Sequence, residues 1–308
     1  MTVDLLCMGE PMLEFNQLPK VENRPQLYLE GHGGDTSNAA IAAARQGARV
    51  GMIAALGQDM PGDSFMALWA REGVDTAAVS RTDRYLTGVY FVTHDQAGHH
   101  FLHHRANSAA AMMGPGDVPE AAIAAARILY VSGISQGISA SACDAVFAAI
   151  EVARRNGVSV AYDTNYRPRL WPAARAAAVM HAAMADVDYA LPGIEDARAL
   201  TGIEQPEAIL DFYLSLGPRV VVLKMGAEGA WLATPHARVR IPAFPVEAVD
   251  ATGAGDTFCG SFLARILAGD APEAAARYAS VAAALKCRGY GAVAPIPMAA
   301  EVLGVLGG

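Results

Sequence analysis

The sequence predicts a three-layer α/β/α fold with a mostly parallel central sheet and a small β-sheet lid. Three observations predict it. Short, almost wholly apolar runs at 3–8, 50–56, 128–132, 158–163, 189–192 and 220–224 read as strands buried on both faces. Longer amphipathic stretches lie between them, such as 38–46 closed by Gly47 and 141–155 closed by Gly157 after a basic last turn, and these read as helices covering both sheet faces. Two pairs of alternating polar and aromatic segments break this rhythm: 13–17 with 26–30, and 85–93 with 99–105, the latter joined by an Asp95-Gln96-Ala97-Gly98 turn. These form the lid, inserted at about 11–31 and 85–106 near the early strands, over the carboxyl edge where open α/β sheets bind ligands.

A chain of 308 residues, 53% hydrophobic and 18% charged, fits one domain spanning 1–308 with this appendage. Much of the apolar share is alanine, as at 39–44 and 173–178, which suits closely packed helices. A net charge of −8 argues against a nucleic-acid surface, which needs a basic stripe against phosphates. The 4 cysteines stand far apart, no leader pattern opens the chain, and no apolar run is long enough to span a bilayer, so a cytoplasmic protein is expected. A lid sheet with one apolar face often seeks a partner, and a homodimer or higher homo-oligomer through it is the expected assembly.

The chemistry concentrates in Val249-Asp250-Ala251-Thr252-Gly253-Ala254-Gly255-Asp256-Thr257-Phe258, which opens an amphipathic helix. Without side chains at Gly253 and Gly255, successive backbone N–H groups can close on an anion, and the positive helix end adds attraction. Asp256 then stands where a carboxylate can take a proton from an attacking hydroxyl. An ordinary tight turn with Asp256 as a helix cap explains the glycines equally well. Neither a Gly-Lys-Ser/Thr loop nor a Gly-x-Gly-x-x-Gly spacing is present.

The stretch 250–258 resembles the C-terminal signature of the ribokinase-like, or pfkB, carbohydrate kinases, and Gly33-Gly34-Asp35-Thr36-Ser37-Asn38-Ala39-Ala40 resembles their N-terminal glycine motif. The similarity runs over essentially the whole chain. It implies ATP and Mg2+ as cofactors, Asp256 as the base, and the backbone of Gly253, Ala254 and Gly255 as the anion hole. Lys224-Met225-Gly226-Ala227-Glu228-Gly229 resembles the family's nucleotide-side turn and implies ATP contacts at Lys224, Gly226 and Gly229, besides Gly253 and Gly255. A glycine hairpin between two strands accounts for the same residues. The late segment 282–291 would cover the adenine. Leu191-Pro192-Gly193-Ile194-Glu195 resembles the Asn-x-x-Glu element that organises magnesium, with Gly193 replacing asparagine and Glu195 as the metal-side carboxylate. Asp250 and Thr252 are where some relatives bind a monovalent cation.

Asp163-Thr164-Asn165-Tyr166-Arg167-Pro168-Arg169-Leu170-Trp171 is similar to a stretch of the 2-keto-3-deoxygluconate kinases and of some fructokinases, and Arg105-Ala106-Asn107-Ser108-Ala109-Ala110 to one of the 2-keto-3-deoxygluconate group. The resemblance implies a substrate site of Gly34, Asn38, Tyr90, His103, Arg105, Arg167 and Asp256, with His103 replacing a lid tyrosine. Two arginines favour an acid sugar, because a planar guanidinium grips a carboxylate with parallel charge-assisted hydrogen bonds. A fructokinase, another neutral-sugar kinase, or a non-catalytic sugar-acid sensor are the rival readings. The doublets His99-His100 and His103-His104 read as a solvated lid strand, not a metal site.

Overall fold

The computed structural model describes residues 3–95 and 98–307. Strand β1 (Leu5–Met8) leads to the lid strands β2 (Met12–Gln17) and β3 (Tyr28–Gly33), helix α1 (Asp35–Arg45), β4 (Val50–Gly57), α2 (Met60–Arg71) and β5 (Val79–Thr82). The second lid pair, β6 (Gly88–Asp95) and β7 (Gly98–His104), precedes α3 (Glu120–Ala125), β8 (Ile128–Ser132), α4 (Gly133–Gly137), α5 (Ala140–Arg155) and β9 (Ser159–Asp163). Then come α6 (Ala173–Met184), β10 (Tyr189–Ala190), α7 (Ile194–Thr201), α8 (Pro206–Leu216), β11 (Val220–Lys224), β12 (Ala230–Thr234) and β13 (Ala237–Ile241). Helices α9 (Ala254–Leu267), α10 (Pro272–Lys286) and α11 (Ala299–Leu306) complete the chain.

Among the described residues the main sheet has the order β13-β12-β11-β10-β9-β8-β1-β4-β5. It is parallel from β11 to β5, and only the β11-β12-β13 edge is antiparallel. Successive side chains of a strand point to opposite faces. Thus Leu5 and Cys7 join one core with Ile41 of α1, Phe262 of α9 and Ala276 of α10, while Leu6 and Met8 join another with Val146 of α5, Met180 of α6 and Ile209 of α8. Two cores on two faces make the three layers, as the near-continuous apolar strands require. No helix among the described residues is long and apolar enough to cross a membrane.

The lid is a separate sheet of order β3-β2-β6-β7, with β2 and β6 parallel. Residues 96–97 of the expected turn between β6 and β7 lie outside the described residues. Helix α1 begins at Asp35, three residues before the apolar pattern starts, because Gly34 at φ 104° turns the chain out of β3 and caps the helix. A Cβ on Gly34 would stand 2.4 Å from the Glu10 carbonyl oxygen, so only glycine fits there. Strand β5 was not expected: four residues of Val-Ser-Arg-Thr carry too little apolar pattern, and pairing with β4 at the sheet edge makes them a strand.

Candidate active site

Gly253 adopts the left-handed conformation, φ 76°, and caps α9. Among the described residues nothing accepts a hydrogen bond from the N–H of Gly253, Gly255 or Asp256, so the helix start presents open donors. Ala254 departs from the expected anion hole: its N–H closes the turn onto the Ala251 carbonyl at 3.1 Å, and the Asp256 N–H takes its place among the open groups.

Asp256 lies in the first turn of α9, and its Oδ2 accepts a hydrogen bond from Asn38 Nδ2 of α1 at 2.8 Å. This contact depends on Gly260, whose imagined Cβ would meet the Ala39 carbonyl oxygen at 2.1 Å, so the missing side chain lets α9 press on α1. Burial pushes the Asp256 carboxyl up to about 7, helped by the nearby charge of Asp35 and opposed by the Asn38 hydrogen bond. Asp35 is itself raised, by burial first, and its Oδ2 accepts from Asn165 Nδ2 at 3.0 Å while Oδ1 has no partner. A base must be ionised to work, so turnover is expected to rise with pH through about 7 and then level off. Asp35→Asn removes a like charge and should move that limb to lower pH; a pH–rate profile of both proteins checks the shift.

Under this loop runs a buried charged chain. Lys224 Nζ donates to Asp163 Oδ2 at 2.5 Å and lies 3.3 Å from Cys259 Sγ. Burial alone would lower the Lys224 pKa, but Asp163 outweighs it and keeps the ammonium charged. Its Nζ is 3.6 Å from where a Gly255 Cβ would stand, so Lys224 brings positive charge under the open donors, from below and not from the turn that follows it. Of the other residues expected at the nucleotide, Gly226 (φ 57°) faces open space. Gly229 is demanded by packing, since its Cβ would fall 2.2 Å from the Ile241 carbonyl oxygen.

The lid supplies the opposite wall. Tyr90 of β6 is buried and donates its hydroxyl to Glu14, and burial raises its pKa first, with the charges of Glu14, Asp256 and Asp250 adding to it. His103 stacks on Tyr90 with ring centroids 5.6 Å apart. Partial desolvation lowers its pKa, and the charges of Arg105, Arg169 and Arg167 lower it further. Arg167 is exposed, donates only to the Tyr166 carbonyl, and has no carboxylate partner among the described residues. Arg105 is different: one nitrogen donates to the buried Glu10, which Ser108 also holds at 2.9 Å, while its Nε has no partner. Arg169, which sequence reasoning did not single out, donates to the Phe101 carbonyl of β7 at 2.9 Å and docks the loop on the lid.

Glu195, expected on the metal side, is exposed on α7; its neighbour Asp196 is half-buried and accepts from Thr164 Oγ1 at 3.5 Å. Burial raises the Asp196 carboxyl to about 6, with Asp163 adding to it and Arg167 and Lys224 opposing. An Asn-x-x-Glu spacing counted from Gly193 ends on Asp196, the residue after Glu195. Asp250 accepts from the N–H of Thr252 at 2.9 Å and of Gly291 at 2.8 Å, which leaves its carboxylate committed to the loop.

Comparison with known proteins gives a consistent picture. The 2-dehydro-3-deoxygluconokinase of Thermoproteus tenax is 34% identical over 98% of this chain and 94% of its own length. The enzyme of the same name from Bacillus subtilis is 31% identical over 96% and 93%. A crystal structure titled as a putative ribokinase II from E. coli in complex with ATP and Mg2+ matches with a TM-score of 0.91 at 24% identity, covering 99% of each chain. The model of the pfkB family carbohydrate kinases matches residues 3–299, and the chain belongs to that family.

Proposed function

We propose that this kinase phosphorylates the terminal hydroxyl of 2-keto-3-deoxygluconate with ATP, giving 2-keto-3-deoxy-6-phosphogluconate. The observation that carries the reading is the Asp256 carboxylate, raised to about 7 by burial and held by Asn38, beside the open N–H donors at the start of α9. Asp256 accepts the hydroxyl proton as the oxygen attacks the γ-phosphorus; the bond to ADP breaks, and the N–H groups of Gly253, Gly255 and Asp256 take up the charge on the phosphoryl oxygens. Lys224 adds positive charge beneath them. Both relatives compared carry the name of this activity, which supports the substrate assignment.

ATP extends over Gly226 and the segment following α10. Magnesium, when bound, neutralises phosphate charge; a hydrated Mg2+ needs one or two carboxylates, and the half-buried Asp196 fits that need where the exposed Glu195 does not. The whole of 1–308 acts as one kinase unit. Free thiols at Cys7, Cys143, Cys259 and Cys287 suit a cytoplasmic enzyme. The exposed Leu27, Tyr28, Leu29 and Leu102 of the lid offer the surface for a second copy, and a dimer mass in sedimentation is the expected result.

Arg167 holds the substrate carboxylate, and Arg105, oriented by Glu10, contributes through its free Nε. Losing a charge-assisted contact of about 2 kcal/mol, Arg167→Ala should raise KM for the acid ~30-fold with little effect on kcat. One observation favours a neutral hexose: Glu10 already occupies part of the Arg105 guanidinium. Comparing kcat/KM for 2-keto-3-deoxygluconate and fructose decides between them, and a preference for fructose would overturn the acid-sugar reading.

A further inference from the structure

Lys286, the last residue of α10, is 0% exposed. Its ammonium forms no ion pair among the described residues; it donates to the backbone carbonyl oxygen of Asp250 at 2.8 Å, within the fields of Asp250 and Asp256. An ammonium stripped of water without a carboxylate partner is costly, and such a group persists where its charge is used.

The surrounding geometry shows that use. In a turn whose N–H groups aim at an anion, preceding carbonyl groups aim the other way, toward the protein, and need a donor or a cation. Here the N–H groups of Val249 and Asp250 bond the Cys287 carbonyl at 2.8 and 3.1 Å, and Gly291 N–H bonds the Asp250 carboxylate at 2.8 Å. The one remaining oxygen of Asp250, its carbonyl, faces the Lys286 ammonium. Asp250 is thus held by Thr252 of its own loop and by residues 286–291 at and beyond the end of α10, and six residues later the same loop carries Asp256.

We propose that Lys286 is a built-in cation: its ammonium stands behind the anion-binding loop where a monovalent metal ion would otherwise be needed, holds 250–256 in the shape that receives phosphate, and makes the enzyme independent of potassium. The proposal rests on the kinase reading and makes Lys286 a positioning residue, since it touches the loop and not the substrate. With the ammonium on the Asp250 carbonyl oxygen, that oxygen is not available to a metal ion.

The test compares wild-type protein with Lys286→Ala, which leaves a void, and Lys286→Met, which fills the space without charge. Two readouts are taken: ADP affinity by calorimetry and turnover, each with potassium, ammonium, methylammonium or choline chloride at matched ionic strength. The wild type should change less than about twofold among these salts. Lys286→Ala should lose about tenfold in ADP affinity and in turnover in choline, an unpaired buried carbonyl being the cause, and recover most of it in ammonium or potassium. Lys286→Met should lose as much and recover nothing, with far-UV dichroism reporting both variants folded. A wild type that requires potassium overturns the proposal. So does a folded Lys286→Ala that keeps wild-type ADP affinity, or one that no cation restores. If the wild type phosphorylates no sugar, the kinase reading fails, while the ADP titrations still decide the role of Lys286.

Discussion

Asp256→Asn is expected to cut turnover by about 10²- to 10⁴-fold, the range for losing a general base, while leaving sugar and ATP binding within a fewfold. The amide keeps the shape of the carboxylate and can still meet Asn38, so the loop and the start of α9 stay in place. What disappears is the proton acceptor. Folding should not suffer: the carboxyl is raised to about 7, which means that the ionised form is disfavoured in the folded state. For a group raised in this way, stability is fully present below the ordinary carboxylate pKa and is lost as pH rises through the folded one. At pH above 7 the variant should therefore unfold at the same or a higher urea concentration than the wild type. A loss of turnover with an unchanged midpoint would separate a chemical role for Asp256 from a structural one.

Gly260→Ala should damage both stability and turnover. Its Cβ would fall 2.1 Å from a backbone oxygen of α1, and backbone cannot swing aside as a side chain can. Helix α9 must move off α1, at an expected cost of about 3 kcal/mol in urea unfolding. The Asn38–Asp256 hydrogen bond crosses the same contact, so Asp256 moves with its helix. A displacement of this kind near the reacting atoms should lower kcat by ~10²-fold in the fraction that remains folded. Normal turnover in a folded Gly260→Ala protein would mean that the α1–α9 contact does not place the base.

The long strands were legible because burial on both faces leaves a continuous apolar run, as at Val220–Lys224. The glycines before Asp256 suit an ordinary capped turn as well as an anion-binding loop, so residues 250–258 stood out only through their resemblance to the family signature. What escaped the sequence depended on distant partners. Arg105 looks like a free guanidinium until the fold brings Glu10, 95 residues away, against it. Glu195 and Asp196 are adjacent carboxylates, and only the rotation of α7 decides which one turns inward. Lys286 ends an alanine-rich helix, where a lysine ordinarily sits in water and favours the helix dipole. Packing of residues 249–252 over it turns a surface charge into an interior one. Arg169 gave no signal beyond its place in a basic stretch, and its role in docking the lid comes from the Phe101 carbonyl.

The central claim is that one short loop receives the transferring phosphoryl group next to the base. A crystal structure with ADP, aluminium fluoride and 2-keto-3-deoxygluconate tests it most directly. The account predicts the fluoride group on the N–H groups of Gly255 and Asp256, with the terminal sugar oxygen against the Asp256 carboxylate and the sugar carboxylate on Arg167. A metal fluoride bound away from the start of α9, or a sugar whose terminal oxygen points away from Asp256, would contradict it.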